Sequence, residues 1–595
     1  MREPGKTCGL ALTPLALWPI LALSGMKQWL QRTIQAWSKV RELPYVGRSL
    51  FGVAIVVLIL AIILGWHRTH PDDVAGEAIQ QARQAQMDVP RSIHVLSGIV
   101  PYLNLWVSIG VPLLLIIIWR RWGNLSRLMA PVSIASGSVA VWAVASELVD
   151  YIARSQMTEM GEPPAPGAFA FKLVFIVLVL GSVPFALEYY RKTTLLERYT
   201  LRTFLQPLVF CFVSFCSLWI IMDLLDNLKD FQQAHSSFGD VLDFYLALLP
   251  FIYVTIIPVA LLLAVLYALT RMSRANEIIS MLGAGRSLLQ VLRPIFICTA
   301  YAVLLSLAAN YYWAPRSEGN RNAVVRALAE RGAGSIMAYA VMYRNEQTLR
   351  TWYVTSVPFS LRNDHERMRG LQVREENPDG TPARTILAPT AGWSPRGGWK
   401  FFDGTELIYQ NGNVAEVRPF PAHPDGQHVL ETPGIEETPW SIVSYALRAD
   451  FMSVPEIISY LHAHPKAGDD KLAPFRTHFW QRFALPLQAF ALVLVAAPLG
   501  VAFSRRGAVG GIASSVFIFF ILLFSNNLFL NLGKGSHLPP WLTVWIPHLL
   551  FGALGVILLR HRSENRDLPR LNFSFSKLKT KIVRPRNRAD VQLDT

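Results

Sequence analysis

Charged residues are scarce in this sequence. Asp, Glu, Lys and Arg make up 16% of its 595 residues, whereas a soluble globular protein carries about 25%. Cysteine is scarcer still, with four residues in the whole chain, and this number excludes a disulfide framework. Disorder is excluded as well, because 52% of the residues are hydrophobic and 11% are aromatic. The composition indicates a membrane protein.

The sequence also lacks a nucleotide-binding loop and a recognisable catalytic set. Gly5-Lys6-Thr7 resembles the end of a P-loop, but the first glycine of that motif has no position in the chain. His462 and His464 lack a third metal ligand at helical spacing, which favours a surface loop. No Ser-His-Asp or Cys-His set can be assembled on one aqueous face. We therefore expect no cofactor, metal or ATPase site in this chain.

Hydrophobic runs long enough to cross about 30 Å of hydrocarbon are frequent. Ten runs qualify, and a polar stretch, 316–480, separates the seventh from the eighth. The first run is short, and the third contains three serines. The runs cover residues 50–66, 96–119, 128–149, 171–189, 203–222, 242–270, 295–314, 483–503, 508–531 and 541–559.

The distribution of Lys and Arg predicts the orientation of these spans. Every second connecting segment is basic, from the stretch before Ser49 to the tail after Arg560. Because basic loops stay in the cytoplasm, ten spans place both termini there and 316–480 outside. The net charge of +15 then reflects topology and anionic headgroups rather than nucleic acid. Residues 10–24 have the character of a signal peptide. Two alternatives stay open, a cleaved signal and a functional start at Met26.

The polar stretch 316–480 has the turn signals of an antiparallel β-domain. Asp379-Gly380, Asp403-Gly404 and Asn411-Gly412 are dipeptides favoured in tight hairpins. The spacing predicts a sandwich or jelly-roll-like domain, flanked by helices at 320–332 and 454–462. The predicted strands are 352–357, 369–376, 383–389, 399–402, 405–410 and 413–420.

Several polar residues lie at predicted span ends. Asp223 and Asp226 end the fifth span, and the simplest interpretation is a hydrated helix end. Glu147 and Asp150 are interpreted as the wet rim of the third span. Asn526 lies within the ninth span, together with Asn527 and Asn531, and is expected to form hydrogen bonds between helices.

Residues from about Leu196 to Leu559 resemble the lipopolysaccharide-transport permeases LptF and LptG, also called the YjgP/YjgQ family. Five segments carry the resemblance in the right order. The four spans before Leu196 have no counterpart in it. The segments are LERYTLRTFLQPL, a span ending DLLDNLKDF, LALLPFIYVTIIPVALLLAVLYALTRMSRANEIISMLGAGRS, RFALPLQAFALVLVAAPLGVAF and LGKGSHLPPWLTVWIPHLLFG.

The resemblance implies a helical polytopic membrane protein of the bacterial inner membrane with an inserted periplasmic β-domain. Of about ten transmembrane helices, six would form the permease unit. Together with the hydrophobic runs and the basic segments, the resemblance divides the chain into a basic cytoplasmic segment (1–49), the four-span extension (50–190), permease spans (196–315), the β-domain (316–480), further permease spans (481–560) and a basic cytoplasmic tail (561–595).

The implied function is that of a permease subunit of an ABC transporter that extracts lipopolysaccharide, or a related lipid, from the inner membrane. Its expected partners are a cytoplasmic ABC ATPase dimer that binds ATP and Mg, a second LptF/LptG-type permease and a periplasmic LptA/LptC-like bridge protein. Nucleic acid is not expected. Two alternatives stay open, a membrane-anchored lipid- or glycan-modifying enzyme and a periplasmic interaction scaffold.

Candidate site residues follow from this resemblance. Residues 271–286 form the expected coupling helix, an amphipathic helix that docks on the ATPase, and an interfacial helix lying on lipid is its alternative. Its expected contacts are Arg271, Arg274, Glu277, Ile278 and Met281. The expected lipid cavity is lined by Leu218, Ile220, Asp223, Ile257, Leu261, Arg316 and Arg321. Alternation along the strands predicts a β-domain groove of Leu371, Val373, Ile386, Leu407 and Tyr409.

Overall fold

The computed structural model describes residues 91–564, apart from 121–124, 158–164, 234–236, 330–335, 346, 359–366, 395–396, 424–426, 433, 447, 466 and 502–506. The predicted segment 1–49, the span 50–66 and most of the basic tail lie outside the described residues. The described helices are α1 (Arg91–Arg120), α2 (Leu125–Met157), α3 (Pro166–Lys192), α4 (Leu195–Gln233), α5 (Phe238–Arg274), α6 (Glu277–Gly283), α7 (Leu288–Ala329), α8 (Pro439–Ala446), α9 (Val454–Ala463), α10 (Asp469–Gly500), α11 (Gly507–Lys534) and α12 (Pro540–Ser563).

Eight of the described helices are long and apolar enough to cross a membrane. They are α2 to α5, α7 and α10 to α12, and each overlaps one of the predicted runs. Within α1 the apolar stretch, Tyr102–Leu115, is shorter than a span. The predicted class, a helical polytopic membrane protein with an antiparallel β-domain, therefore agrees with the described structure.

Helix α5 lies at the centre of the helical part and packs against α4, α7 and α10. Its sequence is apolar all round, which is typical of a helix buried on every side. Ile252, Leu261 and Leu269 on α5 are completely or almost completely buried. Small residues bring the other helices close together. A Cβ added at Gly555 of α12 would lie 2.7 Å from Leu494 Cβ on α10, so that contact requires glycine.

The described residues of the β-domain form a single eight-stranded sheet in which all pairings are antiparallel. The order is β1-β2-β3-β4-β5-β8, and β6 pairs with β4 and β7. Because β4 is long, β5 and β6 pair with successive parts of the same edge. The strands are β1 (Ile336–Asn345), β2 (Arg350–Pro358), β3 (Met368–Glu376), β4 (Pro382–Ser394), β5 (Gly398–Phe402), β6 (Thr405–Gln410), β7 (Asn413–Pro419) and β8 (Val429–Thr432).

All six strands predicted from the sequence are present, and two more were not predicted. The Asn411-Gly412 turn has φ of 52° and 79°, the positive values that a two-residue hairpin loop between β6 and β7 requires. Strand β8 has only four residues, too few for an alternating pattern. Strand β1 is the next described element after the long helix α7, and its apolar run IMAYAV does not distinguish strand from helix. A jelly-roll form stays a prediction.

One face of the sheet forms the core of the β-domain. Trp352, Trp399 and Phe401 are fully buried there, together with Ile442 and Val443 of α8. Helix α8 therefore closes this face.

Glu437, just before α8, fixes the helix to the sheet. Its carboxylate accepts hydrogen bonds from Arg350 at 2.6 Å and Thr348 at 2.7 Å. Its carbonyl accepts one from the Trp399 indole N–H. Burial alone would raise the pKa of Glu437, but the Thr348 hydroxyl and the Arg350 charge hold that pKa below its usual value.

Candidate functional sites

The segment expected to couple the permease to an ATPase forms the turn between α5 and α7. The structure divides the predicted helix 271–286 in two. Helix α5 continues to Arg274, and Asn276 then adopts a left-handed conformation with φ of 57°. Asparagine tolerates this conformation, which ends the long helix and redirects the chain. The separate helix, α6, has seven residues.

Gly285 ends α6, as the Gly-Ala-Gly sequence suggested. Its φ is +82°. The Gly285 N–H bonds to the Leu282 carbonyl, and the Arg286 N–H bonds to the Met281 carbonyl. This pair of bonds is a Schellman motif, which requires a left-handed residue at this position.

The two faces of α6 differ sharply in exposure. Ile278 and Met281 were expected to contact an ATPase, but they are buried in the core of the membrane helices. We therefore correct their assignment, because these side chains attach α6 to its own chain. The exposed residues include Arg271 and Arg274, at the end of α5, and Ile279, on α6. Ile279 was absent from the expected contact set, although its side chain is 43% exposed.

Glu277 is held in place by the first helix of the permease region. The Tyr199 hydroxyl on α4 donates a hydrogen bond to Glu277 Oε1 at 2.9 Å. The second oxygen, Oε2, is shielded from solvent and has no hydrogen-bond partner among the described residues. Leaving a buried carboxylate oxygen unsatisfied is costly. No local pattern links Tyr199 to Glu277, since 78 positions separate them.

The residues expected to line a lipid cavity do not share one surface. Leu218 is exposed and Ile220 is half-buried, both on α4. Ile257 and Leu261 on α5 are buried in the helical core, so their assignment to a cavity wall is wrong for this chain. Large exposed apolar side chains lie on most of the described membrane helices, α1 to α3 and α12 among them. Those of α4 and α11 include Phe210, Val213, Leu218, Ile221, Met222 and Leu225 on α4, and Phe517, Phe520, Ile521, Phe524 and Leu528 on α11.

Two of the polar residues expected to line the cavity, Asp223 and Arg316, bind other residues of the same chain. Asp223 is buried, and its carboxylate accepts hydrogen bonds from Tyr245 and Asn227, each at 3.1 Å. It is therefore not a hydrated helix end. Arg316 forms an ion pair with Glu456 at 3.0 Å. The side chain of Arg321 lies outside the described residues.

The five residues predicted to line one β-domain groove lie on two faces of the sheet. Val373 pairs with Ile386, and Leu371 shares their face; all three are buried. Leu407 pairs with Thr385, the neighbour of Ile386. Directly paired residues lie on the same face and successive residues on opposite faces. Leu407 and Tyr409 therefore lie opposite Ile386, and the predicted single groove is wrong.

The face opposite the core carries the exposed apolar side chains. The pairings connect Met342 to Tyr353, Tyr353 to Gln372 and Gln372 to Leu387 across four strands. Met342, Tyr353 and Leu387 are all exposed. We call this row, with Leu407 on the same face, the open face of the β-domain.

A polar cluster joins the β-domain to the membrane helices. Asp450 Oδ1 lies 2.6 Å from His478 Nε2 on α10 and 3.2 Å from Lys534 Nζ on α11. The hydrogen bond from His478 holds the pKa of Asp450 far below its usual value, aided by Arg448 and Lys534. Asp450 and His478 line a cavity of about 170 Å³ with Asn310, Glu318 and Arg482. These contacts attach the segment after α8 to two spans.

Two further expectations concern single residues. Asn526 on α11 donates a hydrogen bond to Gln488 on α10 at 3.0 Å, which confirms the expected bond between helices. His462 and His464 belong to no group of three or more metal-ligating residues in the described part of the chain. His464 instead packs its ring against Tyr460, at 4.4 Å between centroids.

The burial of Glu147 contradicts its interpretation as part of the hydrated outer end of the third span. This residue is buried and lies 2.5 Å from the ammonium of Lys172 on α3. Nothing in the local sequence pairs these residues, because 25 positions separate them and they lie on different helices.

The described fold defines a class of protein, a multi-pass membrane protein in which an antiparallel β-domain is inserted between five and three of the described membrane-capable helices. The family model of the lipopolysaccharide export system permease LptF/LptG matches residues 198–561. The chain belongs to this family, as the sequence resemblance predicted. The match leaves out α1 to α3. A comparison with curated proteins found no match.

Proposed function

We propose that this chain is a permease subunit of an ABC transporter that extracts lipopolysaccharide, or a related lipid, from the inner membrane and passes it to a periplasmic bridge protein. The LptF/LptG family consists of permeases for lipopolysaccharide export. A cytoplasmic ATPase dimer supplies nucleotide hydrolysis in this proposal, and both chain termini lie in the cytoplasm.

The attachment of α6 is the observation that carries the coupling step. Ile278 and Met281 anchor α6 in the core formed largely by α5, α7 and α10, and the Tyr199–Glu277 hydrogen bond attaches it to α4. A force applied to α6 therefore reaches several spans together, because packed cores move as discrete units rather than deforming continuously. The exposed Arg271, Arg274 and Ile279 form the proposed docking surface for the ATPase together with the half-buried Glu277.

The exposed apolar faces of α4 and α11 support a lipid-facing role beside a second permease. One subunit offers half of a cavity in this arrangement, and acyl chains contact residues such as Leu218. Each CH₂ group withdrawn from water contributes about 0.8 kcal/mol, so the path of the lipid must stay apolar. The open face of the β-domain continues such a path outside the membrane.

Co-purification tests the proposal. The full chain, solubilised with its native partners, is expected to bring down an ABC ATPase and a second LptF/LptG-type permease. ATP hydrolysis by this complex is expected to depend on lipopolysaccharide. A chain that assembles in the membrane without any ATPase would contradict the proposed function.

A further inference from the structure

The N-terminal extension packs directly on the part of the chain that belongs to the permease family. Helix α3 lies against α7 and α9, although the family model matches only residues 198–561. Helix α9 follows the β-domain and leads into α10. The extension therefore contacts both the helix that enters the β-domain and a helix that leads back from it.

A buried ion pair marks this contact. Lys172 and Glu147 are 3% and 5% exposed, and Lys172 Nζ lies 2.5 Å from Glu147 Oε2. The ammonium also lies 3.5 Å from the ring centroid of Tyr312 on α7. A buried ion pair stabilises little unless further contacts offset its desolvation. The ring face of Tyr312 supplies such a contact, because it attracts cations.

Tyr312 connects this pair to a second one. Arg316 donates a hydrogen bond to the Tyr312 hydroxyl, and its guanidinium lies 4.8 Å from the ring centroid. Arg316 Nε also lies 3.0 Å from Glu456 Oε1 on α9. The polar contacts therefore run without interruption from Glu147 on α2 to Glu456.

Glu456 is itself part of the start of α9. Its carboxylate accepts hydrogen bonds at 2.7 Å from the backbone N–H and from the hydroxyl of Ser453. This is a capping box, which determines where the helix begins and how the chain enters it. Any movement of α9 away from α7 must break the Arg316–Glu456 pair.

The neighbouring Tyr311 gives the extension a second attachment. Its hydroxyl donates a hydrogen bond to the Ala168 carbonyl on α3 at 2.8 Å. Its ring lies 5.1 Å from Phe175 of α3 and 6.0 Å from Phe483 of α10. Two adjacent tyrosines of α7 thus bind α3, Tyr311 through a hydrogen bond and ring packing and Tyr312 through a cation–π contact.

We propose that α2 and α3 form an internal brace that restrains the β-domain against the membrane helices. Lys172 and Tyr312 are its positioning residues. The brace acts through the chain of contacts Glu147–Lys172–Tyr312–Arg316–Glu456 and limits how far α9 turns relative to α7. This role rests on the described contacts and does not require a particular transported lipid.

The decisive experiment measures the movement of the β-domain in the full chain. With the native cysteines replaced, spin labels are placed at T381C in the β3–β4 turn and at L538C between α11 and α12. Both sites are exposed. The test variant is E147Q with K172M, which removes both charges and leaves neither one unpaired. We expect the distribution of distances between the two labels to be wider in this variant than in the labelled chain that keeps Glu147 and Lys172.

The matched control is K192M. Lys192 lies on the same helix and pairs with Glu188 at 3.1 Å, but it is exposed. K192M is expected to retain the narrow distribution. If E147Q with K172M also retains it while the extension loses thermal stability, the pair only stabilises the α2–α3 hairpin and the brace is overturned.

A second set of variants tests the role of Tyr312 with little risk to folding. Y312F keeps the ring under Lys172 but loses the hydroxyl that binds Arg316. We therefore expect the distance distribution to widen less than it does in E147Q with K172M. The exchange E147K with K172E restores an ion pair while moving the cation away from the Tyr312 ring. We expect the distance distribution of this variant to be wide as well. A narrow distribution for both variants contradicts a link through Tyr312.

Discussion

The Tyr199 hydroxyl donates its hydrogen bond to Glu277 Oε1 over 2.9 Å, and this contact joins α4 to a seven-residue helix that lies outside the spans. Glu277 is half-buried, and Ile278 beside it is anchored in the core. The position of the carboxylate is therefore determined by two different helices before any partner binds.

Glu277→Lys is expected to weaken association with the ATPase or to uncouple hydrolysis from transport, while membrane insertion stays normal. Reversing the charge turns the expected attraction between Glu277 and a cationic side chain of the ATPase into a repulsion. Losing one partner of a buried interfacial pair costs about 2–5 kcal/mol. Co-purification and lipid-dependent hydrolysis measure the two effects.

Tyr199→Phe is the matched control for Glu277→Lys. It keeps the negative charge and removes only the internal hydrogen bond, which contributes about 0.5–1.5 kcal/mol. We expect a smaller loss of coupling than for the charge reversal. Normal assembly and normal transport in Glu277→Lys would return α6 to the alternative of a helix lying on lipid.

The β-domain and the C-terminal end of α12 are expected to lie on opposite sides of the membrane. Cysteines introduced at Thr381, Ser236 and Ser563 test this arrangement with a reagent that does not cross the membrane. Thr381 and Ser236 should react from outside, and Ser563 should react only after permeabilisation. Labelling of Ser563 from outside would refute the ten-span topology and the placement of the C-terminus in the cytoplasm.

Glu437→Ala is expected to destabilise the β-domain by about 1–3 kcal/mol, because the half-buried Arg350 keeps only its pair with Glu375 and the Thr348 hydroxyl loses its acceptor. Hydrogen exchange of strands β2 and β5 in the full chain measures the loss. Glu416→Gln is the control, since Glu416 and Arg418 form an exposed pair on β7. Similar exchange in both variants would rule out a structural role of the Glu437 network.

The same network predicts a dependence on pH. The pKa of Glu437 is lower in the folded chain than its usual value, so its contribution is fully present above the unfolded value of about 4.3. That contribution is lost as pH falls through the lowered pKa, because the unfolded state then binds the proton more readily. The protection factors of the β2 amides, which correct for the slower intrinsic exchange at low pH, should fall as pH drops through the lowered pKa in the unchanged chain and should depend less on pH in Glu437→Gln.

The open face of the β-domain is expected to contact the transported lipid. A photo-crosslinking residue at Leu387 should capture lipopolysaccharide only when ATP is supplied. The control position is Glu416 on β7, which pairs with Ile408 of β6 and therefore lies on the face opposite Leu407. Crosslinks at Leu387 to a protein or glycan, independent of ATP, would favour the scaffold alternative.

Local sequence determined the elements of this protein. Apolar runs long enough for a bilayer predicted the eight membrane-capable helices, because hydrocarbon thickness sets a length that each run meets by itself. Asn411-Gly412 predicted the β6–β7 hairpin for an equally local reason, the tolerance of these two residues for positive φ. Gly285 predicted the end of α6 in the same way.

The tertiary structure decided which faces of these elements are covered. Helix α5 is apolar all round, so no periodicity indicated that Leu261 belongs to the core rather than to a lipid-facing wall. Alternation separated Ile386 from its neighbours, but only the packing of α8 decided which face of the sheet is closed. Glu147 was interpreted as hydrated because its partner, Lys172, lies on another helix. Burial and pairing depend on the contacts that other segments make, and these contacts cannot be inferred from one short segment of sequence.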